Sequence, residues 1–251
     1  MSSKPVLFSH IYILMSNTYT TYTIAGKVDG FGSQYQAIMS GIAYCKFYNY
    51  NYIHTPFKRL SHSVNFKSLN NFIGIPIVLN QNEIKIDITE PFSNEVHYSE
   101  NPSIYYTKEL IEILKKYYYS TPKPQIQNPD IAIHIRRGDV SINKYQGRYN
   151  PNSYYNKIIH FLNTTYPQFN ITIFSEGSLV DFEDIIGKNL SFKLNENIEE
   201  TFHSLVSAKV LITARSSFSY SAALLNSNEI YYLDFWHKPL NNWKNIKDYI
   251  D

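Results

Sequence analysis

Short apolar runs in the second half of the chain alternate with segments whose apolar residues recur at helical spacing. The apolar runs predict buried strands at residues 131–135, 171–174, 210–213 and 230–233. The helical spacing predicts helices at residues 152–164, 179–186, 198–207 and 218–225. Strands that alternate with helices in this way favour an α/β fold built on a mostly parallel sheet.

The first half is less regular but contains the same two kinds of segment. Apolar patches at residues 6–15 and 52–54 predict strands, and Pro56 ends the second of them. Helical spacing predicts one helix at residues 34–48 and another at residues 103–119. Two glycines precede the first helix, and they predict a tight turn from strand to helix that uses their backbone freedom.

The clearest boundary lies near the middle of the chain. Three prolines fall within residues 122–129, where they disfavour both a helix and a central strand. This spacing predicts a linker at residues 121–129. It would join an N-terminal α/β half, residues 1–120, to a C-terminal half, residues 130–251.

Composition narrows the class of protein. The 251 residues are 43% hydrophobic and 18% charged, which is typical of a folded globular chain. The net charge of +2 gives no support for nucleic-acid binding. Cys45 is the single cysteine, so an intramolecular disulfide and a cysteine-rich zinc site are excluded. With neither a signal peptide nor an apolar run of about 20 residues, we expect no membrane span and a soluble cytoplasmic protein of microbial or viral type.

Two adjacent arginines follow the first predicted strand of the C-terminal half. In open α/β sheets, ligands bind beyond the carboxyl ends of strands, which directs attention to residues 134–139, 175–178 and 214–219. A buried arginine is costly unless an anion pairs with it. Arg136 and Arg137 can therefore clamp a diphosphate, with a neighbouring carboxylate holding one of them. An internal salt bridge beside a solvated arginine explains the pattern equally well.

Two further segments have the composition of anion-binding turns. Residues 214–219 combine an arginine with three serines where a helix is predicted to begin, which fits either an anion site or ordinary N-capping. Gly30-Phe31-Gly32-Ser33-Gln34 fits a tight turn or a close approach of backbone to ligand. The chain has no Asp-x-Asp pair, no Walker lysine and no His-x-x-x-His spacing on a helix, so we expect a site that needs no metal.

Together, these segments resemble the motifs of fucosyltransferases. His134-Ile135-Arg136-Arg137-Gly138-Asp139 is similar to the His-x-Arg-Arg-Gly-Asp motif of α1,2-fucosyltransferases, which α1,6- and protein O-fucosyltransferases share in looser form. Residues 30–34 resemble the Gly-x-Gly-Asn-Gln segment of that family. The stretch from Glu200 through residues 211–219 to Ala223 resembles its C-terminal motif, so the resemblance spans about residues 28–226.

The resemblance implies a GT-B-like fold, in which two Rossmann-like halves face each other across a cleft and the C-terminal half binds the nucleotide. It implies an inverting, metal-independent transfer of fucose from GDP-β-L-fucose to a hydroxyl of a glycan acceptor. Arg136 or Arg137 would stabilise the departing GDP, and His134 and Glu200 would contact guanine. The other donor-binding positions that it implies are Gly30, Gly32, Ser33, Gln34, Asp139, Ser175, Glu176, Arg215, Ser216, Ser217, Phe218 and Ser219.

Inversion also needs a base for the acceptor hydroxyl. Asp29 is the candidate because some O-fucosyltransferases carry a glutamate at the corresponding place, although an aspartate before glycine also forms turns. Ser33 and Arg215 depart from the family, which has asparagine at both positions. Alternatives are a transferase of the same fold with another nucleotide-sugar, and a non-catalytic module that binds a nucleotide-sugar or a glycan. The missing Walker lysine and metal carboxylates count against phosphoryl transfer.

Overall fold

The computed structural model describes residues 20–61, 65–78, 85–90 and 92–250. Within these ranges the chain forms two sheets in which all paired strands run parallel. The α/β fold class predicted from the sequence is therefore confirmed. The strand predicted at residues 6–15 lies outside the described residues.

The N-terminal half contains a three-stranded sheet in the order β2-β1-β3. Its strands are β1 (Thr21–Thr23), β2 (Asn51–Tyr52) and β3 (Lys85–Asp87). Its helices are α1 (Phe31–Phe47), α2 (Phe66–Phe72), α3 (Phe92–His97) and α4 (Lys108–Tyr118), with a 3₁₀ turn at Pro102–Ile104. Most of α1 is buried, because it packs against α3 on one side and against the C-terminal half on the other.

The C-terminal half is built on six strands in the order β6-β5-β4-β7-β8-β9. They are β4 (Ile131–His134), β5 (Ile171–Ser175), β6 (Leu190–Leu194), β7 (Val210–Ile212), β8 (Glu229–Tyr232) and β9 (Lys244–Asn245). The helices are α5 (Asn152–Thr165), α6 (Ile198–Ser207), α7 (Ser217–Leu225) and α8 (Lys247–Ile250). Short 3₁₀ turns occupy Gln146–Arg148 and Leu179–Phe182.

The strand order of this sheet reverses direction between β4 and β7. When β4 is counted as the first strand, the order is 3-2-1-4-5-6, which is that of a Rossmann sheet. In such a sheet the connections from the two middle strands run to opposite sides. Ligands of such sheets bind in the crevice beyond the carboxyl ends of those two strands. The chain places residues 135–139 after β4 and residues 213–216 after β7, so both motifs lie at this point.

The hydrophobic core is shared between the two halves. One buried cluster lies within the C-terminal half, whereas the other joins α1, α2 and α4 to α6 and α7. At its centre, the Phe202 ring lies 5.4 Å from Phe31 and 5.9 Å from Phe72, centroid to centroid, and 5.3 Å from Phe218. Edge-to-face contacts of this kind stabilise a core beyond the area that the rings bury.

Most of the long predicted helices are present, but two predictions were wrong in extent. Residues 179–186 form only the short 3₁₀ turn, because Leu179 and Val180 are 64% and 71% exposed and the segment has no continuous buried stripe. The helix predicted at residues 103–119 begins at Lys108, where the Thr107 hydroxyl accepts a hydrogen bond from the Leu110 amide at 3.3 Å.

Residues 122–129, in the predicted linker, contain neither helix nor strand. The segment is nevertheless held in place, because the Lys123 ammonium donates to the Phe72 carbonyl at 2.7 Å and lies 4.4 Å from the centre of the Tyr118 ring. Among the helices described, none combines the length and the apolar character that crossing a membrane requires.

Candidate functional site

Arg136 lies at the centre of the candidate site. Its Nη1 donates to Ser216 Oγ at 2.9 Å, and its Nη2 forms a 2.7 Å ion pair with Asp139 Oδ2. Gly138 makes the intervening turn with a positive φ of 74°, which favours glycine. The Nε–H of Arg136 is buried and has no hydrogen-bond partner within the part of the chain that the structure describes. A buried donor of this kind is rare in proteins and marks a place where an acceptor fits.

The start of α7 supplies further donors beside this arginine. Ser216 caps the helix, with its hydroxyl accepting from the Phe218 amide at 3.3 Å. The Ser217 hydroxyl lies 3.4 Å from His237 Nε2, and Ser219 Oγ accepts from the Ala214 amide at 3.0 Å. The amides at a helix start and the helix dipole favour an anion there.

The glycine segment of the N-terminal half meets α7 directly. A Cβ added at Gly32 would lie 2.6 Å from the Phe218 amide nitrogen, so only glycine permits this approach of α1 to α7. Ser33 and Gln34 do not extend toward α7 in the contacts observed. The Ser33 hydroxyl donates to Asp29 Oδ2 at 2.8 Å, and Gln34 Nε2 donates to the Asp29 carbonyl at 2.7 Å.

Asp29 is half-exposed and surrounded by groups that favour its charged form. Lys27 Nζ lies 3.2 Å from the same Oδ2 that accepts from Ser33. Burial raises the pKa of Asp29, but the Ser33 hydrogen bond and the Lys27 charge together outweigh it, and the pKa lies below the ordinary value of 3.8. Asp29 is therefore a carboxylate at neutral pH.

Arg137 and Arg215 both use their guanidinium groups to hold a loop. Arg137, only 9% exposed, donates from Nη2 to the Asn150 carbonyl at 2.9 Å and to Asn152 Oδ1 at 2.8 Å. Arg215 donates from Nη1 to the Gly147 carbonyl at 3.0 Å and from Nε to the Asp234 carbonyl at 2.9 Å. Together they fix residues 146–152 against the C-terminal half.

The residue that this loop presents is Arg148, which the sequence motifs do not include. Its guanidinium stacks over Trp236, 4.6 Å from the ring centroid. Burial, and then the charge of Arg136, lowers the pKa of Arg148, while the charges of Asp139 and Asp29 act in the opposite direction. The charges of the motif after β4 and of Asp29 in the N-terminal half thus both act on Arg148. Its backbone amide donates to the Tyr145 carbonyl at 2.8 Å, but among the described residues its side chain makes no ion pair or hydrogen bond.

The remaining predicted positions lie around this centre at different depths. The His134 ring lies 5.5 Å from Phe218, and burial, followed by the Arg136 charge, lowers the pKa of His134 to about 3, so the ring is neutral. Ser175 donates to the Ile135 carbonyl at 2.7 Å and links β5 to the end of β4. Glu176 is exposed and packs against Gly138, whereas Glu200 is exposed on the first turn of α6.

The arrangement can hold an anion with several oxygens. Arg136 and the amides at the start of α7 supply positive charge and fixed donors side by side, and Arg148 adds a charge that interacts with Arg136, which suits a diphosphate. Within the described ranges, no group of three or more His, Cys, Asp or Glu side chains is arranged to hold a metal ion.

Among solved structures, the chain is similar to a dodecameric iron-containing heptosyltransferase, TibC, in complex with ADP-D-β-D-heptose. The TM-score is 0.45 at 10% identity over 91% of this chain and 62% of TibC, so the chain spans less than two thirds of that protein. It is also similar to POFUT1 in complex with GDP-fucose, with TM-score 0.47 and 8% identity over 87% of this chain and 98% of POFUT1.

A third similar structure is the α-1,6-fucosyltransferase NodZ soaked with GDP-fucose. Here the TM-score is 0.40 at 11% identity, over 86% of this chain and 95% of NodZ. No protein-family model matches the chain. No curated protein matches it either.

Proposed function

We propose that the chain is an inverting glycosyltransferase that uses a nucleotide-diphospho-sugar, GDP-β-L-fucose, as its donor. The observation that carries this proposal is the setting of Arg136 at the point where the strand order reverses. One of its nitrogens bonds Ser216 at the start of α7, a second pairs with Asp139, and the buried third has no partner among the described residues. A diphosphate supplies the acceptor that this geometry fits.

The proposed chemistry breaks the bond between the sugar and the β-phosphate oxygen while the acceptor oxygen bonds to the anomeric carbon. Both electrons of the broken bond stay on the diphosphate, which leaves as GDP. Negative charge therefore grows where Arg136, Arg148 and the α7 amides are fixed in advance. Donors held in this way stabilise the transition state more than the ground state, because they need no rearrangement as the charge develops.

The proton of the acceptor hydroxyl goes to Asp29 in this proposal. Asp29 has the carboxylate form that a base needs, but its lowered pKa makes it a weak base. Proton transfer is then expected late, when bond formation has already made the acceptor hydroxyl acidic. The Ser33 and Lys27 contacts would hold the carboxylate in place for that step.

We assign guanine recognition to His134 and Glu200. The His134 ring is neutral and its buried Nδ1 has no partner among the described groups, so a nucleobase can bond to it. Glu200 is exposed and acceptor-only when ionised, which suits the N–H donors on the guanine edge. Adenine and uracil do not offer the same pair of adjacent donors.

The test is a thermal-shift panel of GDP, ADP, UDP, GDP-fucose and ADP-heptose, each with and without EDTA. At about 100 times its Kd, a ligand stabilises the fold by about 2.7 kcal/mol, or roughly 5–10 °C for a chain of this size. We expect GDP and GDP-fucose to raise the melting temperature equally in the presence of EDTA. We also expect E200Q to reduce the preference for GDP over ADP.

The matched variant is R136Q, which keeps a polar side chain but removes the charge. It should abolish the GDP shift without lowering the melting temperature of the free protein by more than a few degrees. If only UDP or only ADP-heptose raises the melting temperature, the proposed GDP-fucose donor is wrong but the site still binds a nucleotide-sugar. A GDP shift that survives R136Q would remove the diphosphate role of Arg136.

A further inference from the structure

A small cavity lies on the N-terminal side of the site, just beyond the carboxyl ends of β1 and β2. Its volume is about 140 Å³, and its walls include Val28, Phe57 and three cationic residues, Lys27, Lys58 and Arg59. Pockets for drug-sized ligands measure about 300–1,000 Å³. The cavity therefore has room for about one sugar ring and not for a nucleotide.

The charges around this cavity are unbalanced. Lys27 is paired with Asp29, but neither Lys58 nor Arg59 has a carboxylate within 4.0 Å among the described residues. Both side chains belong to exposed residues and can reach a ligand without leaving a structural partner. Two unpaired cations at the rim of one cavity favour a ligand that carries negative charge.

The cavity is also tied to the candidate base. Gln34 Nε2 donates to the Asp29 carbonyl and to the Arg59 carbonyl, each at 2.7 Å, so one amide fixes the cavity wall relative to Asp29. Lys27 borders the cavity and lies 3.2 Å from the Asp29 carboxylate. Two residues of the cavity wall, Lys27 and Gln34, thus contact Asp29 directly, and Asp29 lies behind them on the side of the N-terminal half.

We propose that this cavity binds the acceptor and that the acceptor is a sugar carrying one acidic substituent, such as a uronic acid. The apolar wall at Val28 and Phe57 fits the C–H face of a sugar ring, and Lys58 and Arg59 fit its acidic group. A hydroxyl on the opposite edge of the ring then faces Asp29. That the sugar is an acceptor, and that Asp29 acts on it, rests on the proposed function, whereas binding of the acidic sugar does not.

The experiment compares two sugars that differ only in the acidic group, methyl β-D-glucuronide and methyl β-D-glucoside. Saturation-transfer NMR on the full chain measures the binding of each at millimolar concentration. We expect the glucuronide to bind about tenfold more tightly than the glucoside, and about 0.5 M NaCl to remove most of that difference. Methyl β-D-glucoside 6-sulfate tests whether a sulfate replaces the carboxylate.

The double variant K58Q/R59Q removes both unpaired charges and leaves the Arg59 carbonyl in place. It should bind the glucuronide no better than the glucoside, while its melting temperature and its response to GDP stay unchanged. K116Q, which removes an exposed lysine on α4, is the matched control and should behave as the unmodified chain does.

The proposal is overturned if the unmodified chain binds the glucuronide and the glucoside equally well, or if K58Q/R59Q still binds the glucuronide more tightly. If neither methyl glycoside nor the sulfate binds while GDP still shifts the melt, the acidic-acceptor proposal fails and the donor proposal stands. If the glucuronide binds with the expected salt dependence but no nucleotide does, the proposed function fails and the acidic-sugar site stands.

Discussion

Arg137 holds the loop at residues 146–152 and Arg148 is part of that loop, but their contacts predict opposite effects of removing them. Arg137 donates to the buried Asn150 carbonyl and to the partly buried Asn152 side chain, so its loss leaves those acceptors without this donor. The Arg148 side chain stacks on Trp236 and makes no ion pair or hydrogen bond with the described residues. Its guanidinium therefore contributes little to the fold and is free to meet a ligand.

We expect R137A to lower the stability by about 3 kcal/mol, which corresponds to a melting temperature about 6–12 °C lower. We expect R148A to leave the melting temperature within about 2 °C and to weaken GDP binding about tenfold, because it removes one charge-assisted contact. Thermal melts and calorimetry with GDP measure the two effects. A loss of stability in R148A as large as that in R137A would contradict this division of roles.

His54 gives a prediction about pH. Burial, and next the Lys85 charge, lowers the pKa of His54 from 6.5 to about 4, and both ring nitrogens are buried without hydrogen-bond partners among the described groups. Between these two pKa values, His54 therefore binds a proton in the unfolded chain but stays neutral in the folded chain. The stability linked to His54 is complete above about pH 6.5 and is lost as the pH falls toward 4.

At pH 5 this histidine lowers the free energy of unfolding by about 2 kcal/mol relative to neutral pH. The variant H54L removes the titrating group without breaking a hydrogen bond of the described structure. It should match or exceed the stability of the unmodified chain at pH 7 and exceed it by a further 2 kcal/mol or so at pH 5. Urea unfolding at the two pH values measures this difference, and an equal difference at both would rule out the titration.

The sequence predicts that two adjacent arginines lie at the donor site, but it does not show which role each of them has. Arg136 and Arg137 are equivalent in the motif, and only the position of residues 146–152 decides that Arg137 holds this loop while Arg136 contacts the start of α7. The same loop brings Arg148 to the site from a segment that carries no motif. Contacts set by a loop depend on backbone geometry, and hydrophobic periodicity carries no information about them.

At the level of elements, the contact between the starts of α1 and α7 defines the site. Gly32 permits it, because a Cβ there would lie 2.5 Å from Phe218 Cα and 2.6 Å from its amide nitrogen. Backbone atoms cannot move aside as a flexible side chain does. Gly30, the N-cap of α1, is different, since a Cβ there would meet only the Ser61 carbonyl at an ordinary 3.7 Å. The predicted use of glycine backbone freedom in this turn was wrong, because Gly30 has a φ of −68° and Gly32 already lies in the helix.

We expect G32A to separate α1 from α7, with a stability loss of about 1–3 kcal/mol and weaker GDP binding, because the α7 amides shift with the helix. G30A should change the stability by about 1 kcal/mol or less, as expected for an alanine at a capping position. Thermal melts with and without GDP compare the two variants. If G30A lowered the stability and the GDP affinity as much as G32A, the close packing of Gly32 against Phe218 would not be the reason for the loss.

The elements themselves were predictable where a long buried stripe exists. Helix α6 spans Ile198–Ser207 as the spacing indicates, and α1, α5 and α7 agree within a few residues. β6 was missed because it is an edge strand whose Ser191 and Lys193 are exposed, which leaves a weak alternation without an apolar run. The strand predicted at residues 52–54 overlaps β2 only at Tyr52, and β9, with two residues, is too short for any periodicity to appear.

For the whole molecule, the shared core couples two halves that the chain order separates. Prolines predict the linker, but they say nothing about whether the halves pack against one another. That depends on which aromatic side chains meet across the boundary, and here Phe31 and Phe72 surround Phe202. With one cluster of buried residues common to both, opening either half exposes apolar surface of the other.

The final prediction tests this coupling through the positions of the tryptophans. Trp236 and Trp243 both lie in the C-terminal half, so their fluorescence reports that half, whereas far-ultraviolet circular dichroism reports both. L69A creates a cavity in the N-terminal half and should cost about 2–5 kcal/mol. If the halves unfold together, the urea midpoint seen by tryptophan fluorescence moves as far as the midpoint seen by dichroism. I158A, in the core cluster of the C-terminal half alone, is the control and should also move both midpoints together. If L69A leaves the fluorescence midpoint unchanged, the halves unfold independently. The site between α1 and α7 could then open without loss of the C-terminal fold.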